Sequence, residues 1–210
     1  MTTAVLTFVV AATLLIVAPG PDSLLVTRNV FRGGRRAGMG TAAGTLTGLT
    51  AWSVAAAFGL SALLAASRAG YDVVHVAGGL YLVWLGVQSV RGHGARPLDS
   101  GTVAGRDPGG VALGRAYLTG VVSNLLNPKI GVFFVAFLPG FIPTGAPVAP
   151  TAGLLGALFV AETGLWLAVL VWLVGRGAGW LRRRGVQRWL ERITGAVLIG
   201  FGVRLAAEAR

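Results

Sequence analysis

The sequence predicts an all-α integral membrane protein of six transmembrane helices, built as two inverted three-helix repeats with helices 1 and 4 broken or kinked at proline motifs. Three observations lead there. Of 210 residues, 54% are hydrophobic and only 12% charged, and the mean hydropathy is +0.74; a soluble domain carries roughly twice that charge. The charged residues gather in short clusters between long apolar runs, which no water-soluble core absorbs. Two proline motifs, Pro19-Gly20-Pro21-Asp22 and Asn127-Pro128-Lys129, lie within those runs, each with an ionisable residue. The lack of cysteine excludes disulfides, dithiol electron transfer and thiolate metal sites.

The elements follow in order. Residues 1–21 are charge-free, and Met1-Thr2-Thr3 lacks the basic start of a signal peptide, so this run reads as a retained first span. Residues 37–67 supply the second, 73–90 the third, 116–138 the fourth, interrupted by Pro128-Lys129, and 149–175 the fifth, containing Glu162. The sixth is short, because only residues 193–203 are charge-free and the flanking Arg204 must snorkel. Internal similarity supports it: Gly79 to Gly86-Val87 aligns with Gly195 to Gly202-Val203, and Pro21-Asp22 is echoed by Pro128-Lys129. The organisation expected is a single membrane domain of two repeats, 1–91 and 113–210, joined by a Gly-rich cytoplasmic hinge at 92–112.

Orientation follows from arginine. Fourteen of 17 arginines fall at 28–36, 91–115 and 176–192, in alternate connections, whereas 66–72 holds one and 139–150 none. Positive-inside placement makes those three connections cytoplasmic, with both termini outside the cytoplasm and the chain in the cell membrane. The net charge of +11 therefore reads as topology and lipid contact rather than nucleic-acid binding.

Asp22, Lys129 and Glu162 lie inside spans, where each costs about 2.5–3.5 kcal/mol or more unless partnered, which marks them as functional groups facing the interior. Pro19 and Pro21 remove two amide donors around the pliant Gly20, and the helix must break or kink there. Freed carbonyls then precede the break and freed amides follow it, placing Asp22 and Ser23 at the start of a half-helix suited to a carboxylate. In the fourth span Pro128 frees another carbonyl, while Asn124 and Asn127 add side-chain donors and acceptors. Lys129, the sole lysine, sits ~21 Å from Arg115 along the helix, too deep to snorkel, and requires an anion: Asp22 or a bound carboxylate. Glu162 is near mid-bilayer, where desolvation opposes ionisation, so it and Asp22 are the proton-coupling candidates. Gly40, Gly44 and Gly48 share one helix face and read as close helix packing. His75 and His93 are too far apart for a metal pair, and Trp84, Trp166, Trp172, Trp180 and Trp189 read as interfacial or lipid-facing.

Taken together, Pro19-Gly20-Pro21-Asp22 in the first span and Asn127-Pro128-Lys129 in the fourth, preceded by Gly120 and Ser123-Asn124, resemble the signatures of the LysE/RhtB family of amino-acid exporters. The likeness covers essentially the whole chain. It implies export of amino acids or close derivatives from the cytoplasm, driven by an ion gradient, usually protons, without a cofactor. The expected site takes an amino acid with its carboxylate near Lys129 and Asn127 and its ammonium near Asp22 and freed carbonyls, between halves that rock. Gly20, Ser23 and Asn124 complete it. Alternatives are a small-ion or metal permease of the same fold, which the poverty of ligands disfavours, and a non-transporting membrane subunit. An enzyme is not expected, because no nucleophile and base or cofactor site is recognisable. Homo-oligomerisation stays open.

Overall fold

The computed structural model describes residues 2–17, 20–66, 68–91, 112–143 and 145–177, together with positions 185, 189, 192, 193, 195, 196, 199, 200, 202 and 203. Pro19, the hinge residues 92–111 and, within the sixth span, residues 194, 197, 198 and 201 lie outside the described residues. Helices α1 (Thr2–Val17), α2 (Pro21–Ala66), α3 (Arg68–Val90), α4 (Leu113–Leu125), α5 (Pro128–Val132) and α6 (Val148–Gly175) make up the fold, with no strand among the described residues. A π-helical turn, Phe133–Phe137, and a 3₁₀ turn, Leu138–Phe141, extend α5.

Helices and expected spans do not map one to one. The arginine-bearing connection at 28–36 is itself helical: α2 runs through it and reverses at Gly34, where φ is 72° and ψ is −173°. A positive φ of that kind is open to glycine and strained for other residues. Two changes of direction interrupt the apolar stretches, 48° between Ala4–Val17 and Pro21–Gly59, and 49° between Leu113–Leu125 and Pro128–Phe141. Between α4 and α5, Asn127 is extended (φ −77°, ψ 106°), the backbone that a following proline imposes. Among the described residues α6 alone is long and apolar enough to cross a bilayer unaided; each bent pair, if taken as one span, adds another.

The second arm of α2 is the central element. Along it Gly40 meets Leu113 and Ala116, Gly44 the Tyr117 carbonyl, and Gly48 the Asn124 side chain, so this arm runs parallel to α4 at backbone contact. Gly120 of α4 meets the Thr41 carbonyl in return. On its other side Gly38 faces Val171, Gly156 faces Ser53 and Gly175 faces Arg35, so α6 runs antiparallel. These pairings bring Arg35, Arg115 and Arg176 to one end of the molecule. At the other end Phe8, Phe133, Phe134, Phe137, Phe141 and Phe159 form one cluster, in which Phe133 stacks on Phe159 at 4.3 Å. The last segment packs against α3 in antiparallel fashion, Gly86 on the Gly195 carbonyl and Gly202 on the Gly79 carbonyl.

Both faces of the outer helices are apolar. In α1, Phe8, Ala11, Ala12 and Leu15 are buried while Leu6, Val10 and Leu14 are exposed; in α6, Leu155, Phe159 and Leu167 are buried while Leu165, Val169 and Trp172 are exposed. A helix whose outward face is as apolar as its inward one is made for lipid.

The contact at Gly44 predicts a sharp steric response. A Cβ there falls on the Tyr117 carbonyl, which is backbone and cannot step aside, so Gly44→Ala should lose about 1–3 kcal/mol. Gly153→Ala, which opens onto free space in α6, should be neutral or slightly stabilising. Thermal unfolding of the two purified variants in one detergent distinguishes them; equal midpoints would contradict the backbone-contact account.

Candidate functional site

The two interruptions meet. Leu15, near the end of α1, has a carbonyl that in a continuous helix would accept from the N–H of residue 19, and residue 19 is proline. Lys129, one residue into α5, donates from Nζ to that carbonyl at 2.8 Å. Asp22, in the first turn of α2, accepts at Oδ2 from Asn124 Nδ2 at 2.9 Å and from Asn127 Nδ2 at 3.1 Å. The acceptors at the first break are thus satisfied by side chains from the second.

The local sequence explains how these groups are aimed. Asn127 caps α5, its Oδ1 accepting from the Lys129 N–H at 3.1 Å, which leaves its Nδ2 for Asp22. Pro128 holds the first position of α5, where a missing N–H costs nothing. Gly20 accepts from the Leu24 N–H at 3.1 Å and so opens α2, which sets the Asp22 carboxylate by the unpaired amides of that helix start. Asn124 and Asn127 are buried, at 0% and 4% exposure, so their bonds to Asp22 form away from water and are correspondingly strong. Asp22 and Lys129 lie within electrostatic reach of one another.

Around them is a narrow, partly open cavity of about 30 Å³, which in this conformation has room for water, so that a larger occupant enters only as the surrounding contacts part. Gly20, Asp22, Ser23, Asn127 and Lys129 form its polar side. Leu15, Ile16, Leu49, Ile130, Phe159 and Leu167 form an apolar side, interrupted by Thr163 and Trp166. The lining therefore combines an anion and a cation with apolar walls, a combination that suits a zwitterion.

Most of the residues expected from sequence converge here: Gly20, Asp22, Ser23, Asn127 and Lys129 line the cavity, and Asn124 stands behind Asp22. Pro21 and Pro128 begin α2 and α5. Glu162 does not join them. Its Oε2 accepts from Thr13 Oγ1 of α1 at 2.8 Å, outside the cavity lining, because its neighbour Thr163 faces inward and a helix turns by about 100° per residue. Gly40, Gly44 and Gly48 serve the α2 and α4 contact away from the chamber. Among the described residues no group of three His, Asp or Glu side chains gathers where a metal ion would sit.

Of the cavity residues not expected from sequence, two carry polar groups. Trp166, read there as interfacial, turns inward and its Nε1 donates to Ser23 Oγ at 3.4 Å. Thr163 also lines the wall. A four-residue spacing from Phe159 through Thr163 to Leu167 links the buried positions of α6, but a helix apolar on every side gives no way to choose that face beforehand.

Comparison with known proteins extends this picture. A family model described as LysE type translocator matches residues 13–209. The chain is 31% identical over 196 residues to the threonine efflux protein of Escherichia coli (strain K12), covering 90% of this chain and 91% of that protein. It is 28% identical over 200 residues to the homoserine/homoserine lactone efflux protein of Salmonella typhimurium, covering 95% and 94%. A membrane protein of Bacillus subtilis (strain 168), YrhP, is 29% identical over 202 residues, covering 95% and 96%. No solved structure matches the chain.

The Asp22 bonds predict an energetic coupling. Asn124→Leu should destabilise the protein by about 1–3 kcal/mol, because a buried carboxylate loses a donor. In the Asp22→Leu background the same change should cost less, with a coupling of about 0.5–3 kcal/mol in a double-mutant cycle of unfolding midpoints. Strict additivity would show that the bond carries no energy.

Proposed function

The chain belongs to the LysE type translocator family, and we propose that it is a secondary active exporter of amino acids or close derivatives from the cytoplasm, working by proton antiport with alternating access. The observation that carries this is the bonding of the second helix break onto the first beside one chamber: Lys129 on the Leu15 carbonyl, Asn124 and Asn127 on Asp22. The whole-length likeness to threonine and homoserine efflux proteins supports amino-acid export.

In this reading the substrate replaces protein bonds with its own. Its carboxylate takes Lys129 and the Asn127 amide, and its ammonium takes Asp22 and the Leu15 carbonyl that Lys129 releases. Both exchanges dissolve bonds that tie residues 1–91 to 113–210, so binding favours a rearranged pairing of the halves and gives a substrate the differential affinity that a conformational change requires. Protonation of Asp22 acts on the same bonds, since a neutral carboxyl accepts less strongly from two amides. Glu162 is the second proton candidate, and its bond to Thr13 also joins the two halves.

Several contacts support an inverted repeat with the motif prolines as its helix breaks. The repeat alignment equates Gly79 with Gly195 and Gly86 with Gly202, while the contacts pair Gly79 with Gly202 and Gly86 with Gly195. That crossed pairing is what a two-fold relation generates. Likewise Trp166 reaches Ser23 just after the first break, and Trp52 lies against Gly131 just after the second. The gathering of Arg35, Arg115 and Arg176 at one end supports the orientation in which that end is cytoplasmic and both termini are outside.

The test is efflux from cells lacking their own exporters, loaded with amino acids by dipeptide feeding. The intact chain should speed the loss of one or a few amino acids, and correctly inserted Lys129→Met should lose at least ten-fold of that rate. Normal export by Lys129→Met would sink the carboxylate assignment. No accelerated efflux from the intact chain would sink amino-acid export itself. Coupling is read separately in proteoliposomes: Glu162→Gln that still follows an imposed proton gradient leaves Asp22 as the coupling group, whereas uncoupled movement assigns that role to Glu162.

A further inference from the structure

We propose that Thr163 Oγ selects the substrate's side chain, favouring one that carries a hydroxyl over an aliphatic chain of the same shape. This deepens the export reading and rests on it.

Threonines in the neighbouring helices α2 and α4 set the comparison. In an apolar surround a helical threonine satisfies its hydroxyl on the carbonyl four residues back. Four threonines here do so: Thr41 on Ala37, Thr47 on Ala43, Thr50 on Leu46 and Thr119 on Arg115, at 2.7–3.1 Å. Thr163 has the Phe159 carbonyl in the corresponding place, yet its Oγ1 is buried and bonded to no protein group. The residue is only 8% exposed. Thr45 also has a hydroxyl without a protein partner, but it belongs to the contact between α2 and α4 and does not line the chamber.

The placement of Thr163 gives its hydroxyl a use. It lines the chamber with Leu49, Phe159 and Leu167, and it comes from α6, whereas the charged groups, Asp22 and Lys129, come from α2 and α5. A zwitterion whose backbone groups engage Asp22 and Lys129 has only its side chain left to meet this wall. A threonine- or homoserine-like side chain brings a hydroxyl that both donates and accepts, and so pairs with Thr163 Oγ1. Valine, with the outline of threonine, brings a methyl group and leaves the buried hydroxyl unpaired. A site of this kind discriminates strongly, because the wrong substrate displaces water and returns nothing to the polar group.

The experiment uses the full chain in proteoliposomes, with radiolabelled threonine and valine as probes and Thr163→Val, Thr163→Ser and Thr163→Ala as variants. Wild type should move threonine at least about ten-fold better than valine, as kcat/KM. Thr163→Val should bring that ratio close to one, and it should do so by raising valine transport as well as lowering threonine transport, which a merely damaged protein would not show. Thr163→Ser should keep the preference and Thr163→Ala should lose it, so the pair carries the test if Thr163→Val fails to insert. A wild-type ratio near one, or a ratio the same in the serine and alanine variants, would overturn the assignment of Thr163 while leaving export standing. If wild type moves no amino acid at all, the export reading falls and this inference falls with it.

Discussion

Inside a bilayer a helix cannot be interrupted without leaving carbonyls and amides that water is not there to satisfy. This chain interrupts two, and the rest of the fold is organised around that demand. Lys129 comes to the carbonyl that Pro19 leaves without a donor, and two asparagines come to the carboxylate at the start of α2. The first interruption depends on side chains of the second, whereas the second closes part of its own backbone, the Asn127 N–H donating to the Asn124 carbonyl at 3.0 Å. An isolated lysine or aspartate in an apolar run would be expelled or neutralised, so these charged groups depend on the two breaks facing each other.

Holding the breaks together requires helices that approach closely and in register. The glycine face at Gly40, Gly44 and Gly48 lets the second arm of α2 reach α4 at backbone distance, which sets Asn124 behind Asp22. Small residues serve this purpose in membranes, where lipid offers no hydrophobic drive for helix association and dispersion contacts must supply it. The phenylalanine cluster fills the end opposite Arg35, Arg115 and Arg176 with rings in stacked and edge-on contact, closing the space between α1, α6 and the segment after α5. The chamber is therefore bounded both by rigid packing and by exchangeable hydrogen bonds, a combination that the proposed alternating access would use.

The polar half of the candidate site was legible residue by residue. A proline, an aspartate or a lysine in an apolar run is conspicuous because it is expensive there, and expense points to a partner. The apolar half was not. Thr163 and Trp166 sit in a helix whose every side is compatible with lipid, so neither the inward turn of the indole to Ser23 nor the uncommitted hydroxyl had a signature in periodicity. Glu162 shows the same gap from the other direction: its depth was readable, but a single residue of helical rotation carries it to Thr13 and away from the chamber.

By itself, the sequence determined that the chain is helical and membrane-embedded, where its backbone lacks donors, and which charged side chains must find partners, because these follow from local chemistry and the absence of water. Tertiary structure alone decided that the partners lie across the two breaks, that the 28–36 connection continues as helix to a reversal at Gly34, and which face of α6 lines the chamber. The reason is physical. Polar groups in lipid have steep and specific demands that are written at single positions, whereas apolar side chains are content against lipid or protein alike, and only the packing of neighbours assigns them a direction.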